Sequence, residues 1–107
     1  MTVFVTVAAT VKPGSGKGFE EAFAKVSATV KGTPGHVSDR LLRDDTDADK
    51  YVLLGSWQSE EQFRAWEDAP IHREMTVPFR EFWAGPVVRT IYHLAVDGAA
   101  DPAASTR

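Results

Sequence analysis

The chain has 107 residues, a net charge of -3 and no cysteine. This length predicts one domain with a single core. The charge gives no broad attraction to nucleic acid or anionic lipid, and the lack of cysteine excludes disulfides, thiolate metal sites and cysteine nucleophiles. No apolar run reaches the roughly 20 residues of a membrane helix. Because the N-terminus also shows no secretory signal, we expect a cytoplasmic protein.

The first predicted element is a strand over residues 2–11. Its β-branched residues, among them Val5 and Val7, recur with a period of two, which is typical of a strand. The alternate positions include Phe4 and Ala8, so the second face is not polar either. We therefore expect both faces of the sheet to be covered, one of them by a second copy of the chain.

The next segment, residues 12–18, is a glycine-rich loop. It does not match a phosphate-binding loop, because Lys17 is followed by Gly18 and not by serine or threonine. A helix with one apolar face is predicted for residues 19–31. The Pro34-Gly35 pair follows the helix and breaks the chain.

A second strand is predicted for residues 36–43. Strict alternation places Val37 and Leu41 on one of its faces. On the other face it places His36, Ser38, Arg40 and Leu42.

Residues 44–50 form an aspartate-rich segment between this strand and the next. A calcium-binding loop would need glycine in place of Lys50 and glutamate in place of Ser56. A solvated hairpin turn is therefore predicted. The near-continuous apolar run over residues 51–57 predicts a central strand, covered on both faces.

A capped helix follows the third strand. Ser59 and Gln62 have the spacing of a capping box, and acidic residues occupy the first turn, where a helix N-terminus favours negative charge. Phe63 and Trp66 are expected on one helical face.

Pro70 is predicted to begin a second helical segment, since the missing N–H of proline costs little in a first turn. Ile71 and Met75 continue an apolar stripe, and His72 lies one position round from Ile71. The large aromatic residues and an imidazole near this helix break form the best candidate site in the chain.

A fourth strand is predicted for residues 87–96, and residues 97–107 read as a disordered, polar tail. The resulting domain, residues 1–96, has the order β-α-β-β-α-β. This order predicts an α+β, ferredoxin-like split βαβ fold with a four-stranded antiparallel sheet. Helices on one face would leave an apolar sheet face bare, so we expect a homodimer that packs sheet against sheet.

Two segments of the sequence, TPGHVSDRLLRD and YVLLGSWQSEEQFRAWEDAPIHRE, resemble the antibiotic biosynthesis monooxygenase superfamily, the dimeric α+β barrels. The resemblance covers about residues 2–96. Its matching positions are Pro34, Gly35, Leu41, Leu42, Trp57, Ser59, Phe63, Trp66, Pro70, His72 and Arg73.

The resemblance implies a small monooxygenase that uses dioxygen and no cofactor, with a planar aromatic, quinol or polyketide-derived substrate. An electron-rich phenol or anthrone can reduce dioxygen itself once it is deprotonated, so the protein would supply a base and a dry aromatic pocket. His72 is the candidate base, and Trp66 is a wall and polarising N–H donor. The candidate lining residues are Phe23, Phe63, Phe79, Arg80, Phe82, Trp83 and Tyr92. No metal site is predicted.

The superfamily also includes haem-degrading enzymes, which carry a tryptophan where this chain has Trp66. By register, their axial histidine corresponds to Met75 or Thr76, and an asparagine in the first strand corresponds to Val7. Haem binding or degradation is therefore an alternative. A non-redox polyketide cyclase or a ligand-binding protein is another.

Several residues have a second interpretation. Trp66 is also compatible with an ordinary core position, and His72 with a solvated helix start. His36 and His93 could face a dimer seam. The arginines could bind an acidic substrate or pair with the aspartates; they are Arg40, Arg43 and Arg80.

Overall fold

The computed structural model describes residues 2–98. It contains four strands and three helices in the order β1 α1 β2 β3 α2 α3 β4. Their bounds are β1 Val3–Thr10, α1 Gly16–Val30, β2 His36–Arg43, β3 Lys50–Trp57, α2 Glu60–Asp68, α3 Pro70–Arg80 and β4 Val88–His93. The predicted α+β, split βαβ order is confirmed.

The four strands form one antiparallel sheet in the order β2-β3-β1-β4. In the middle of the sheet Val5 lies opposite Gly55 on one side and Ile91 on the other. The odd-numbered residues of β1 face the helices, and Val3 and Val5 are buried. The period of two in the sequence therefore reports the face that packs against the helices.

The opposite surface of the sheet, which we call the outer sheet face, carries the even-numbered residues of β1 and their cross-strand neighbours. Phe4 lies opposite Tyr92 there, and Ala8 lies opposite Val88. Leu42 is 47% exposed, Tyr92 54% and Val88 64%. This face is largely apolar, with Thr6 opposite Thr90 among its polar positions, and it is uncovered in a single chain, as the alternation of the first strand predicted.

The core consists of two clusters between the sheet and the helices. One gathers around Phe19 on α1 and includes Tyr51 and Phe79; the other contains Trp57 and Phe63 with the first residues of β1. Trp66 packs against both clusters. A side chain on the short helix α2 thus joins the two halves of the interior.

The predicted cap and helix break are both present. Ser59 is the N-cap of α2, and its hydroxyl oxygen accepts a hydrogen bond from the Gln62 backbone N–H at 3.2 Å. The hydroxyl in turn donates to the Gln62 side-chain oxygen. Ala69 ends α2 and caps α3, and Pro70 is the first residue of α3.

One part of the predicted stripe on α3 is wrong. Ile71 is 47% exposed, whereas Thr76 and Phe79 are buried. The face of α3 that packs inward therefore follows His72, Thr76 and Phe79, one position round from the face predicted with Ile71.

Element ends differ from the prediction where pairing or packing sets them. The helix α1 begins at Gly16 and not at residue 19. The strand β4 ends at His93 and not at residue 96, because its last partner on β1 is Val3. Among the described residues, no helix is both long and apolar enough to cross a membrane. Most of the predicted tail, residues 99–107, lies outside the described residues.

Candidate functional site

A cavity of about 280 Å³ lies between the sheet and the helices. Its volume is just below the range of about 300–1,000 Å³ typical of small-molecule sites. Its apolar and aromatic walls come from Val5, Val7, Phe23, Val26, Val30, Leu53, Trp57, Phe63, Trp66, Phe79, Trp83 and Val87. Its polar wall groups come from Ser27, Asp39, Glu67, His72, Thr76, Arg80 and Arg89.

One end of the cavity is an aromatic cluster built by α2 and β3. Phe63 and Trp66 lie three residues apart on α2, so their side chains share one face. The ring centroid of Trp57 is 5.6 Å from that of Phe63 and 5.5 Å from that of Trp66. The cluster fixes the Trp66 indole against the cavity wall.

His72 packs edge-on against Trp66, with ring centroids 4.2 Å apart. Burial lowers the pKa of His72 below its usual value of 6.5, and the positive charges of Arg80 and Arg73 lower it further. The backbone of Glu67 acts in the opposite direction. The imidazole is therefore mainly neutral near pH 7 and able to accept a proton.

Three buried N–H groups belong to residues that line this cavity. They are Trp66 Nε1, Trp83 Nε1 and Arg80 Nε, and none has a hydrogen-bond partner within residues 2–98. The Arg80 guanidinium carbon lies 5.9 Å from the Trp83 ring centroid. Burial lowers the pKa of Arg80, as does the nearby charge of Arg73. Because unpaired buried donors are costly, these groups suit a ligand that supplies an oxygen acceptor.

The sequence analysis did not predict a polar group where the sheet lines the cavity. Asp39 lines the cavity from β2. His36 Nε2 lies 3.0 Å from Asp39 Oδ2, close enough for an ion pair. The angle between the two groups does not suit a hydrogen bond. A β-bulge between His36 and Ser38 moves His36 opposite Trp57. His36 therefore shares the helix-facing side with Asp39, and it does not lie on the outer sheet face as predicted.

An ion pair joins α2 to β4 beside the cavity. Arg89 Nε lies 2.9 Å from Glu67 Oε2, and both residues line the cavity. The Arg89 guanidinium also lies over the Phe63 ring, 5.9 Å from its centroid. The sequence analysis missed this pair, since nothing in the spacing of 67 and 89 shows that they meet.

Most of the predicted site residues meet at the cavity. His72, Trp66 and five of the predicted lining residues belong to its wall, namely Phe23, Phe63, Phe79, Arg80 and Trp83. Phe82 instead packs against Phe19, with ring centroids 6.3 Å apart. Tyr92 lies on the outer sheet face, because the register of β4 places it opposite Phe4. The assignment of Phe82 and Tyr92 to the pocket wall is therefore corrected.

The other charged candidates lie elsewhere. Arg43 is 3.7 Å from Glu20, a contact between exposed side chains, and Arg40 is exposed on the outer sheet face. His93 Nε2 lies 2.9 Å from Glu60 Oε1. His93 thus faces the helices and not the outer sheet face.

The positions that a haem-degrading enzyme would use do not fit haem ligation here. Met75 packs against the core cluster around Phe19, and the Thr76 hydroxyl donates to the His72 backbone oxygen at 2.9 Å. Val7, at the asparagine position, contributes only an apolar wall. Between residues 2 and 98 there is no group of three or more His, Asp or Glu side chains that could hold a metal ion.

The fold and cavity together define a class of small split βαβ proteins with an aromatic-walled chamber between the sheet and its helices. A family model described as antibiotic biosynthesis monooxygenase matches residues 2–76. The chain belongs to the antibiotic biosynthesis monooxygenase family, which confirms the resemblance.

Two curated relatives differ in what they are named for. Protein SchA of Streptomyces halstedii is 29% identical over 65 residues, which are 61% of this chain and 17% of that protein. A mycobilin-producing haem oxygenase of Mycobacterium tuberculosis is 33% identical over 60 residues, which are 56% of this chain and 57% of that protein. The matched segment thus spans less than two thirds of either relative.

A solved structure with the same fold is a variant of SnoaB, a cofactor-independent oxygenase from Streptomyces nogalater. It superimposes with a TM-score of 0.78 and 23% identity, covering 90% of this chain and 95% of that one. At this identity the likeness shows the fold.

Proposed function

We propose that the chain is a cofactor-independent monooxygenase acting on a planar aromatic, quinol or polyketide-derived substrate. The main support is one arrangement: an imidazole with a lowered pKa beside an aromatic cavity whose three buried N–H groups have no partner within residues 2–98. A cavity of this kind suits a flat molecule that carries an acidic proton and an oxygen acceptor.

The reaction begins with proton transfer from the substrate to His72. The neutral imidazole accepts a proton from a phenolic O–H or an anthrone CH₂ group, which leaves a delocalised anion. The N–H groups of Trp66, Trp83 and Arg80 then stabilise the negative charge on the substrate oxygen, since preorganised donors act where the charge develops.

The anion itself supplies the electrons for dioxygen. In an anthrone, the CH₂ carbon loses two hydrogens and gains one oxygen atom, so the substrate gives up four electrons. Dioxygen accepts those four electrons; its second oxygen atom leaves as water with the two hydrogens of the CH₂ group, the first of which His72 took as a proton. The aromatic walls keep bulk water away from the anion while this occurs.

The partner in this proposal is a second copy of the chain. The outer sheet face exposes Leu42, Tyr92 and Val88, and a monomer rarely leaves large apolar side chains grouped on one face uncovered. Two copies that pack face to face would form a dimeric α+β barrel and leave both cavities open on the helix sides.

Oxygen uptake with anthrone as the probe tests the reaction. We expect protein to accelerate uptake above the rate in buffer, with one dioxygen consumed for each anthraquinone formed. Equal rates with and without protein would contradict the proposal for this substrate class. A non-redox cyclase would instead convert a poly-β-ketone equally well without oxygen.

Haem oxygenation is the second candidate, because a haem oxygenase is 33% identical over 60 residues and Trp66 is present. The residues at the expected axial positions do not support it. Titration with micromolar haem decides between the two candidate functions. A Soret shift that is smaller in Trp66→Ala would favour haem oxygenation, and an unchanged Soret band would exclude it.

A further inference from the structure

Asp39 and its neighbour His36 form a second polar centre on the sheet, and Asp39 of this pair lines the cavity. The side chains of His36 and Asp39 are only 8% and 13% exposed. Burying a carboxylate is costly unless its oxygens are paired. Such a carboxylate in a largely apolar cavity therefore requires an explanation.

The polar contacts of Asp39 converge on one oxygen. Oδ2 lies 3.0 Å from His36 Nε2 and accepts a long hydrogen bond of 3.4 Å from the Ser27 hydroxyl. Oδ1 instead lies over Gly55, only 3.1 Å from where a Cβ on that residue would stand. A strand glycine often marks a place of close approach. Here the missing Cβ of Gly55 gives Oδ1 its place, and both Asp39 and Gly55 line the cavity.

An irregularity of the β2 backbone brings His36 to the same side of the sheet as Asp39. Without the bulge between His36 and Ser38, strict alternation would put His36 on the same side as Ser38, the outer sheet face. The bulge turns the imidazole inward, where it packs edge-on against Trp57 with centroids 5.0 Å apart. Bulges are frequent beside active sites because they re-aim a side chain in this way.

We propose that Asp39, positioned by His36, binds an O–H group of the ligand through Oδ1. The ligand is then a planar aromatic that carries a hydroxyl toward the sheet and a carbonyl oxygen toward the N–H donors of Trp66, Trp83 and Arg80. The inference rests on the proposed function for the carbonyl end. A carboxylate acceptor discriminates against a ligand whose hydroxyl is methylated, since a charge-assisted hydrogen bond is among the stronger ones.

The test compares two unreactive probes under anaerobic conditions. One is a naphthol with an acetyl group at the far end of the ring system, and the other is its methyl ether. Dissociation constants are measured by tryptophan fluorescence quenching. We expect the wild-type protein to bind the naphthol about tenfold more tightly than the ether.

Variants assign that preference to its source. Asp39→Asn should reduce the tenfold ratio to about twofold and Asp39→Leu should abolish it, while Asp45→Asn, an exposed carboxylate in the turn after β2, should keep it. His36→Phe retains a ring against Trp57 but loses the nitrogen. We expect this variant to bind the naphthol more weakly than wild type does and to bind the ether with unchanged affinity. A general packing defect would weaken the binding of both probes.

Two outcomes overturn the proposal: a wild-type protein that binds the naphthol no more tightly than the ether, or a preference that survives in both Asp39 variants. Thermal unfolding of each variant verifies that the fold is intact. Because the probes are not oxidised, a failure here is distinct from a failure of oxygen uptake with anthrone. The first rejects the hydroxyl-binding role, and the second rejects the oxygenase.

Discussion

Trp66 serves the core and lines the site with different parts of one side chain. Its ring packs against both core clusters, whereas its N–H is buried without a partner in the described part of the chain. The two interpretations of this residue from the sequence are thus compatible. Packing holds the indole rigid, and a rigid donor is more useful to a developing negative charge than a mobile one.

Replacing His72 tests the base directly. We expect His72→Ala to lower the oxygenase rate at least about a hundredfold, since general base catalysis contributes on that scale. The measurement is oxygen uptake at saturating anthrone. His93→Ala is the matched control, because His93 pairs with Glu60 outside the cavity. A His72→Ala rate within a few-fold of wild type would reassign His72 to packing.

The lowered pKa of His72 also predicts two pH effects. The base must be neutral, so the acid limb of kcat/KM should lie below pH 6.5. On acidification the unfolded chain takes up this proton before the folded protein does, so stability should fall as the pH drops from about 6.5 toward the folded pKa. Thermal unfolding between pH 5 and 8, compared with His72→Gln, measures the second effect. An unchanged difference across that range would contradict it.

The sequence predicted the aromatic residues of the cavity better than it predicted the polar pair on β2, His36 and Asp39. Phe63 and Trp66 share one face of α2 by helical spacing, and His72 follows a few residues later, in the first turn of the next helix. Asp39 and His36 were missed because alternation assigns them to opposite sides of a strand. Only the extra residue of a bulge brings them together, and a bulge leaves no clear signal in a single sequence.

At the scale of elements, the cap of α2 positions the site, since Phe63 and Trp66 follow it. Ser59→Ala should lower stability by about 1 kcal/mol, or the melting temperature by about 4–8 °C. Ser15→Ala is the matched control, because in the described structure the Ser15 side chain makes no capping hydrogen bond to α1. Similar losses in both variants, measured by thermal unfolding, would show that the cap adds nothing.

Gly35 joins the entry of β2 to the same cap. Its φ of 85° disfavours other residues, and an added Cβ would lie 2.6 Å from the Gln62 Cβ. Gly32 has a φ of 93° but no atom of the described residues within 4 Å of such a Cβ. Gly35→Ala should therefore cost at least about 1 kcal/mol more than Gly32→Ala, the difference being steric overlap. Urea unfolding of both variants checks this, and equal losses would contradict it.

The start of α1 shows why element ends were less predictable than element types. Gly16, Lys17 and Gly18 form a poor first helical turn by propensity, so the sequence indicated a loop. The fold places this turn against other side chains: a Cβ would stand 2.7 Å from the Tyr51 hydroxyl at Gly16 and 3.0 Å from Phe82 at Gly18. Tertiary packing, which propensity does not include, makes the turn helical.

At the scale of the whole molecule, the outer sheet face predicts association. Val88→Glu should convert a dimer into a monomer, because a buried, unpaired carboxylate would face the partner's apolar surface. Val77→Glu is the control; Val77 is 52% exposed on α3, away from the sheet. Sedimentation velocity at micromolar concentration reports the mass. A wild-type monomer, or a Val88→Glu dimer, would reject the sheet-to-sheet association.

The bulge at Val37 decides which side of the sheet the His36 side chain occupies. If Val37 instead paired in regular register opposite Trp57, the imidazole would move to the outer sheet face and leave the carboxylate without its neighbour. The pairing of one strand residue, with no change of any side chain, would then decide whether His36 stays beside Asp39. With the proposed role of Asp39, ligand preference thus depends partly on the pairing register of β2.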